Sequence, residues 1–305
     1  MKAILLMGYG APESMDDIGA YYASIHHRKS VGRAVVKKAE RQFYHHGTGE
    51  TLGSIAKRQA TSIEIALDRC FGMKLPVYSA FRHTAPFADR TVEKMLRDGV
   101  TGIYLFTLKP IVTEREALLN EKIVEKELKR LNQAEKVTVH TILPEHIDER
   151  WVNILANRAK SAWTWLPEKL QPHAEVIFTA HSVAGKATQR ESYDKLLKEL
   201  ASAVADIAGL KQYSTAYRSA GRNRDMWSGP DILEVIREKS EEGCKAVIAA
   251  DLQSLAENIE TAFDIGYDLQ ELCSELDMKF LRAAQPNDSF DLIIAAAEMI
   301  ADHFK

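Results

Sequence analysis

Several residues in this chain are of types, and at spacings, that do chemistry. His181 closes the run Glu175-Val176-Ile177-Phe178-Thr179-Ala180 and is followed by Ser182. A neutral imidazole near pH 7 accepts a proton or binds a metal through one ring nitrogen. A histidine after a strand is equally a hydrogen-bonded structural residue. Further on, Glu260, Asp264 and Asp268 recur at four-residue intervals. In a continuous helix that spacing stacks them on one face. Such a row hands a hydrated divalent cation, or protons, between solvent and an interior site. It also reads as a solvated face, since like charges so placed cost only a few tenths of a kcal/mol per pair. Between the two lie Arg218-Ser219-Ala220-Gly221 and Trp227-Ser228-Gly229-Pro230. Gly-Pro favours a turn and a tryptophan anchors one.

The first half offers a second set. Tyr9 sits in Met7-Gly8-Tyr9-Gly10-Ala11-Pro12, and Arg82-His83 precede Thr84-Ala85-Pro86-Phe87. The basic run His26-His27-Arg28-Lys29 follows Ile25. Arginine and lysine are the partners that carboxylates need, arginine bidentately. The plainer readings are a turn tyrosine and a solvated charge run. Gly47-Thr48-Gly49 is too short for a phosphate cradle, and neither a GxGxxG nor a Walker motif occurs.

These groups must be positioned by regular elements, and the pattern supplies them. Apolar, β-rich runs cover 3–7, 76–80, 103–108, 137–142, 176–180, 213–217, 246–250 and 279–282. Helical patterns cover 61–70, 86–98, 114–131, 149–162, 193–208, 230–242 and 255–275. Strand–helix alternation with nearly continuous apolar strands predicts a parallel sheet covered on both faces. The expected fold is α/β, with two similar doubly wound lobes. Each has a four-stranded parallel sheet flanked by helices, and a cleft lies between them. Residues 1–144 form the first lobe and 145–285 the second, with the break near Leu143-Pro144. Residues 286–305 form a last helix packing back on the first lobe, with Asp288 as its N-cap. In such sheets ligands sit at the carboxyl ends of the strands, where Tyr9, Arg82, His83 and His181 fall.

Composition narrows the class. The chain has 305 residues, is 46% hydrophobic and 27% charged, and carries a formal net charge of −3. There is no basic excess to suggest a nucleic-acid partner. No run approaches the ~18 apolar residues of a membrane span. The three cysteines, Cys70, Cys244 and Cys273, are far apart and form no CxxC pair. They are expected to be reduced thiols of a cytoplasmic protein.

Taken together, the motifs resemble those of the ferrochelatases, in their short, soluble bacterial form, from Met7 to the last helix. Thr179-Ala180-His181-Ser182 is similar to the family's S-A-H-S. Glu260, Asp264 and Asp268 are similar to its acidic helix, and Tyr9-Gly10-Ala11-Pro12 to its Y-G-x-P loop, followed at family spacing by Asp17-Ile18, Tyr21-Tyr22 and Ile25. The segment from Arg218 to Pro230 resembles Q-S-x-G, a spacer and W-L-G-P, with Arg218 in place of the glutamine. Two more stretches depart. The strand before Glu260 usually carries Pro, Gly and Phe and then Asp-His. Here it reads Ala249-Ala250-Asp251-Leu252-Gln253-Ser254-Leu255-Ala256-Glu257-Asn258-Ile259. The third-strand loop, usually Pro-x-aromatic-Ser, is Lys109-Pro110-Ile111-Val112-Thr113.

The resemblance implies an enzyme of haem biosynthesis inserting Fe2+ into a porphyrin, coproporphyrin III or protoporphyrin IX. His181 and Glu260 would be catalytic, and with Asp264 and Asp268 would handle the metal. Tyr9, Ile25, Arg28, Lys29, Arg82, His83 and Trp227 would bind the macrocycle, and Arg41 would lie near the outer acidic site. Arg218 and Arg222 are the next cations for the porphyrin's carboxylates. Expected too are no prosthetic group, a divalent cation at the outer acidic site, and a cytoplasmic monomer without nucleic-acid partner or transmembrane segment. Three cysteines cannot supply the four that hold an iron–sulfur cluster in some members, so none is expected. The alternatives are a non-catalytic tetrapyrrole- or haem-binding protein on the same scaffold, and a cobalt or nickel chelatase.

Overall fold

Short apolar runs form the strands, the inner ones of each sheet buried on both faces and the edge ones only in part, and each leads into a helix. The computed structural model describes residues 1–30, 32–46, 51–221 and 223–305, without the side chains of 38, 45 and 46. The strands are β1 (Lys2–Gly8), β2 (Val77–Phe81), β3 (Gly102–Phe106), β4 (Thr138–Ile142), β5 (Ala174–His181), β6 (Tyr213–Arg218), β7 (Ala246–Asp251) and β8 (Lys279–Arg282). They pair only in parallel, in two four-stranded sheets of order β2-β1-β3-β4 and β6-β5-β7-β8. The same order in both sheets makes the halves topological repeats.

The helices are α1 (Ile18–Ile25), α2 (Arg33–His46), α3 (Leu52–Phe71), α4 (Ala88–Arg97), α5 (Glu114–Arg130), α6 (Glu149–Trp165), α7 (Ala187–Ala208), α8 (Ile232–Glu241), α9 (Ile259–Thr261), α10 (Leu269–Glu275) and α11 (Phe290–His303). Side-chain caps start several of them. Thr51, Thr113, Asp148 and Asp231 accept backbone N–H groups at the N-termini of α3, α5, α6 and α8. Among the described residues no helix is long and apolar enough to cross a membrane.

Two compact units emerge. The first comprises Met1–Glu145, Ala256–Ile259 and Asn287–Lys305, the second His146–Leu255 and Glu260–Pro286. In the first unit Leu5, Met7, Val92, Met95, Ile103 and Leu105 centre the core, and α11 packs on α3. In the second unit Ile177, Ile236, Val247, Ile265, Leu269 and Cys273 do so. Burial pushes the Cys273 thiol up to about 12.

Four expectations need correction. The helices α1 and α2 were not anticipated, and α3 begins at Leu52 rather than 61, because its first turns carry polar and small residues that blur the apolar period. Asp288 is not the cap of α11: Ser289 holds that position, and Asp288 instead accepts from Arg58 Nε at 2.6 Å. The stretch 255–275 is not one α-helix. It is α9, a π-helical segment from Ala262 to Asp268, and α10. The Gly47-Thr48-Gly49 loop and Arg222 lie outside the described residues.

Candidate functional site

In the second unit the parallel register pairs His181 of β5 with Arg218 of β6, side by side at the carboxyl ends of the strands. The loop after His181 is clamped. Ser182 donates its N–H to Arg218 O at 2.8 Å and its hydroxyl to Ser228 O at 2.7 Å. Ser228 N donates to Val183 O at 3.0 Å, and Arg190 Nη1 holds Trp227 O at 2.7 Å. Trp227 is thus the anchor of a turn that braces the histidine loop. Gly221 is required beside it, since a Cβ there would meet the indole at 2.7 Å.

His181 Nδ1 lies 2.6 Å from the carbonyl of Ser182. A carbonyl only accepts, so Nδ1 carries the proton and the neutral ring's lone pair is on Nε2. Nε2 faces Glu260 Oε2 at 3.5 Å, with the imidazole 42% exposed. A neutral imidazole lone pair and a carboxylate have no proton to share. One arriving proton completes a hydrogen bond between them, which makes the pair an acceptor.

Arg218 lies behind this pair, with its side chain 3% exposed. Its Nε and Nη2 donate to Asp251 Oδ2 at 3.1 and 2.8 Å, and Nη2 also donates to Ser254 Oγ at 3.0 Å. The other oxygen of Asp251 accepts the N–H groups of Gln253 and Ser254 at 2.7 and 2.9 Å. Removing one partner of so buried an ion pair costs about 3–5 kcal/mol. Burial acts against the guanidinium charge, but the carboxylates of Asp251, Asp264 and Glu260 more than reverse it and keep Arg218 cationic. Its Nη1 stands 3.9 Å from Glu260 Oε2 and 3.9 Å from Asp264 Oδ2. Ser219, in the left-handed region at φ 60°, donates its hydroxyl to Asp264.

The π-helical segment decides what becomes of the acidic row. Its wider i→i+5 bonding means that four residues no longer close a turn. Glu260 and Asp264 converge on Arg218, while Asp268 ends the segment. Among the described residues no three His, Cys, Asp or Glu side chains form a group fit to hold a metal.

In the first unit, Tyr9 follows β1 with its ring 44% exposed. The Arg82 guanidinium lies 5.1 Å from the centre of that ring and His83 4.5 Å from it, centre to centre. Gly10 makes the turn, with φ 99° and Thr84 at 2.6 Å from where a Cβ would stand. Arg82 has little free surface, its side chain being 8% exposed and Nη2 3.1 Å from Glu116 Oε1. Lys109 meets the same carboxylate at 3.0 Å. An anionic ligand would therefore share Arg82 with Glu116. His83 Nδ1 pairs with Ser24 Oγ at 2.9 Å. Burial, then the charges of Arg82 and His27, lower its pKa to about 4, so the ring is neutral. Arg28 and Lys29 are exposed. They follow α1, which ends in a Schellman turn. His27 is in the left-handed region, and Arg28 N donates to Ala23 O at 2.9 Å and His27 N to Ser24 O at 3.2 Å. Ile25, half-buried, ends that helix, and Arg41 is exposed on α2.

The sequence brought out His181, Glu260 and Asp264 but missed Ser219, which donates to Asp264, and Asp251 and Ser254, which hold the Arg218 behind them. The available signal was the pair of departures at Arg218 and Asp251, one cation and one anion at the ends of two strands of one sheet. Glu116 and Ser24, which fix Arg82 and His83, left no local signal.

Comparison with known proteins sets this geometry among relatives. A family model described as ferrochelatase matches residues 1–304. Coproporphyrin III ferrochelatase 2 of Bacillus cereus is 28% identical over 307 residues, covering 99% of this chain and 94% of that protein. Coproporphyrin III ferrochelatase of Corynebacterium diphtheriae is 27% identical, covering 96% of this chain and 84% of that protein. Among solved structures, SirB from Bacillus subtilis with Fe3+ aligns with a TM-score of 0.56 and 15% identity, over 99% of this chain and 94% of that one. At that identity the likeness concerns the fold alone.

Proposed function

This chain belongs to the ferrochelatase family, and from that premise we propose that it inserts Fe2+ into a porphyrin, with coproporphyrin III as the substrate. The observation that carries the reading is the His181–Glu260 pair. Its Nδ1 is tied to a carbonyl and its Nε2 is turned to a carboxylate at the carboxyl end of a parallel strand. Metal insertion releases two pyrrole N–H protons for each divalent ion that enters, so the site needs acceptors at the point of exchange. His181 Nε2 takes one of the two protons and Glu260 the other, and the pair releases both to solvent. Deformation of the macrocycle, so that its nitrogen lone pairs leave the ring plane, draws on binding energy along its edge.

The remaining residues divide by chemistry. The aromatic and apolar side chains Tyr9, Ile25, His83 and Trp227 suit the disc. The exposed cations Arg28 and Lys29 suit its carboxylates, with Arg82 as a partly shared third. Asp264 and Asp268 offer oxygen ligands for a hydrated divalent ion, a hard-cation pattern. The relatives' names favour coproporphyrin III over protoporphyrin IX.

An anaerobic absorbance assay with Fe2+ and each porphyrin tests this. Many turnovers with coproporphyrin III are expected. Stoichiometric spectral binding without turnover would replace the enzyme with a tetrapyrrole-binding protein. Turnover with Co2+ or Ni2+ but not Fe2+ would reassign the metal.

A further inference from the structure

Arg218 uses its hydrogen bonds in one direction and its charge in another. Nε and Nη2 are taken up by Asp251 and Ser254. Nη1 is buried and has no hydrogen-bond partner. It stands 3.9 Å from Glu260 Oε2 and 3.9 Å from Asp264 Oδ2. A guanidinium placed only to brace these carboxylates would sit at about 2.7–2.9 Å from one of them. Equal, longer distances leave the nitrogen acting on both through its field.

We propose that Arg218 is a built-in cation occupying the electrostatic position a divalent metal would take between Glu260 and Asp264, so that the pair holds its metal weakly and passes it on. A divalent ion bound to either oxygen at the usual 2.0–2.6 Å lies at most about 6.5 Å from Nη1. That is inside the Debye length at physiological salt, and the buried setting screens still less. The repulsion lowers affinity for the ion without removing a ligand. Asp251 keeps the charge in place, because its carboxylate accepts from both the guanidinium and two backbone N–H groups. The meaning given to metal passage rests on the chelatase reading, but the electrostatics do not.

Mn2+ alone is the probe, titrated against the full chain without porphyrin and followed by the electron paramagnetic resonance signal of the free ion. Arg218→Gln should bind Mn2+ about tenfold or more tightly than wild type. Arg218→Lys keeps the charge and should stay within about threefold of wild type. Adding Glu260→Gln to Arg218→Gln should abolish the gain. Should Arg218→Gln fail to fold by circular dichroism, Arg218→Gln/Asp251→Asn removes the ion pair together and should still bind more tightly. Equal Mn2+ affinity in wild type and every folded variant lacking the charge overturns the proposal, and so does a gain in Arg218→Lys as large as in Arg218→Gln. A wild type that turns over no porphyrin, with the Mn2+ gain present in Arg218→Gln, would sink the chelatase reading and keep this one.

Discussion

The carboxyl ends of the two sheets are built alike and charged differently. In the first unit Phe81 N donates to the carbonyl of Pro86 at 2.9 Å, and in the second Tyr217 N donates to that of Pro230 at 2.8 Å. Both prolines follow cis peptide bonds. Register then equates positions. Gly8 pairs with Phe81 as Ala180 pairs with Tyr217, so Tyr9 corresponds to His181 and Arg82 to Arg218. Each unit places an arginine at the end of its second strand and a polar ring at the end of its first. Where Arg218 of β6 reaches across β5 to Asp251 of β7, the residue in register with Asp251, just past β3, is the uncharged Thr107, and the counter-charge for Arg82 comes from Glu116 of α5. One frame thus yields an arginine beneath an exposed aromatic ring in one unit and an arginine beside two carboxylates in the other. The difference lies in which element supplies the anion.

Breaking the equivalence of Tyr9 and His181 should have the largest effect. His181→Ala should cut Fe2+ insertion about 10²–10⁴-fold with an unchanged circular dichroism spectrum, while Tyr9→Phe costs about tenfold or less. Equal losses in anaerobic turnover would mean that the halves do not divide the work as described. Next come the counter-ions. Asp251→Ala should destabilise the second unit by about 3–5 kcal/mol, because it strands a buried guanidinium. Glu116→Ala should cost the first unit less, since Lys109 and solvent reach that pair. Urea midpoints of the two variants measure this, and a larger loss for Glu116→Ala would invert the comparison.

A smaller effect separates binding from chemistry. The double variant Arg28→Ala/Lys29→Ala should weaken coproporphyrin III about tenfold, two charge-assisted contacts being lost at an exposed site. Fluorescence quenching would show it, and an unchanged dissociation constant would move the carboxylates elsewhere. The smallest concerns pH. His83 is held neutral, with its pKa lowered to about 4 from 6.5, so the unfolded chain takes up a proton first on acidification. Its contribution is complete above about 6.5 and is lost as pH falls towards 4, by roughly 1–2 kcal/mol after allowing for screening at a half-buried ring. Ring signals in an NMR titration that move near pH 6.5 would remove that contribution.

The sequence by itself determined the eight strands, their parallel character and the residues at their ends. Alternating apolar runs and helical periods are local signals, and each strand here is long enough to carry one. His181, Tyr9 and Arg82 stood out as reactive types at strand ends, and Glu260 as the first of three acids at four-residue intervals. The tertiary structure alone decided which of them meet. The four-residue acidic spacing reads as one helical face only if the helix is α throughout; in the fold Glu260 of α9 and Asp264 of the π-helical segment both stand 3.9 Å from Arg218 Nη1. The pairing of Arg218 with Asp251 and of Arg82 with Glu116 joins residues far apart in the chain. Hydrogen bonding and burial at such contacts depend on packing in three dimensions, which spacing along the sequence does not encode.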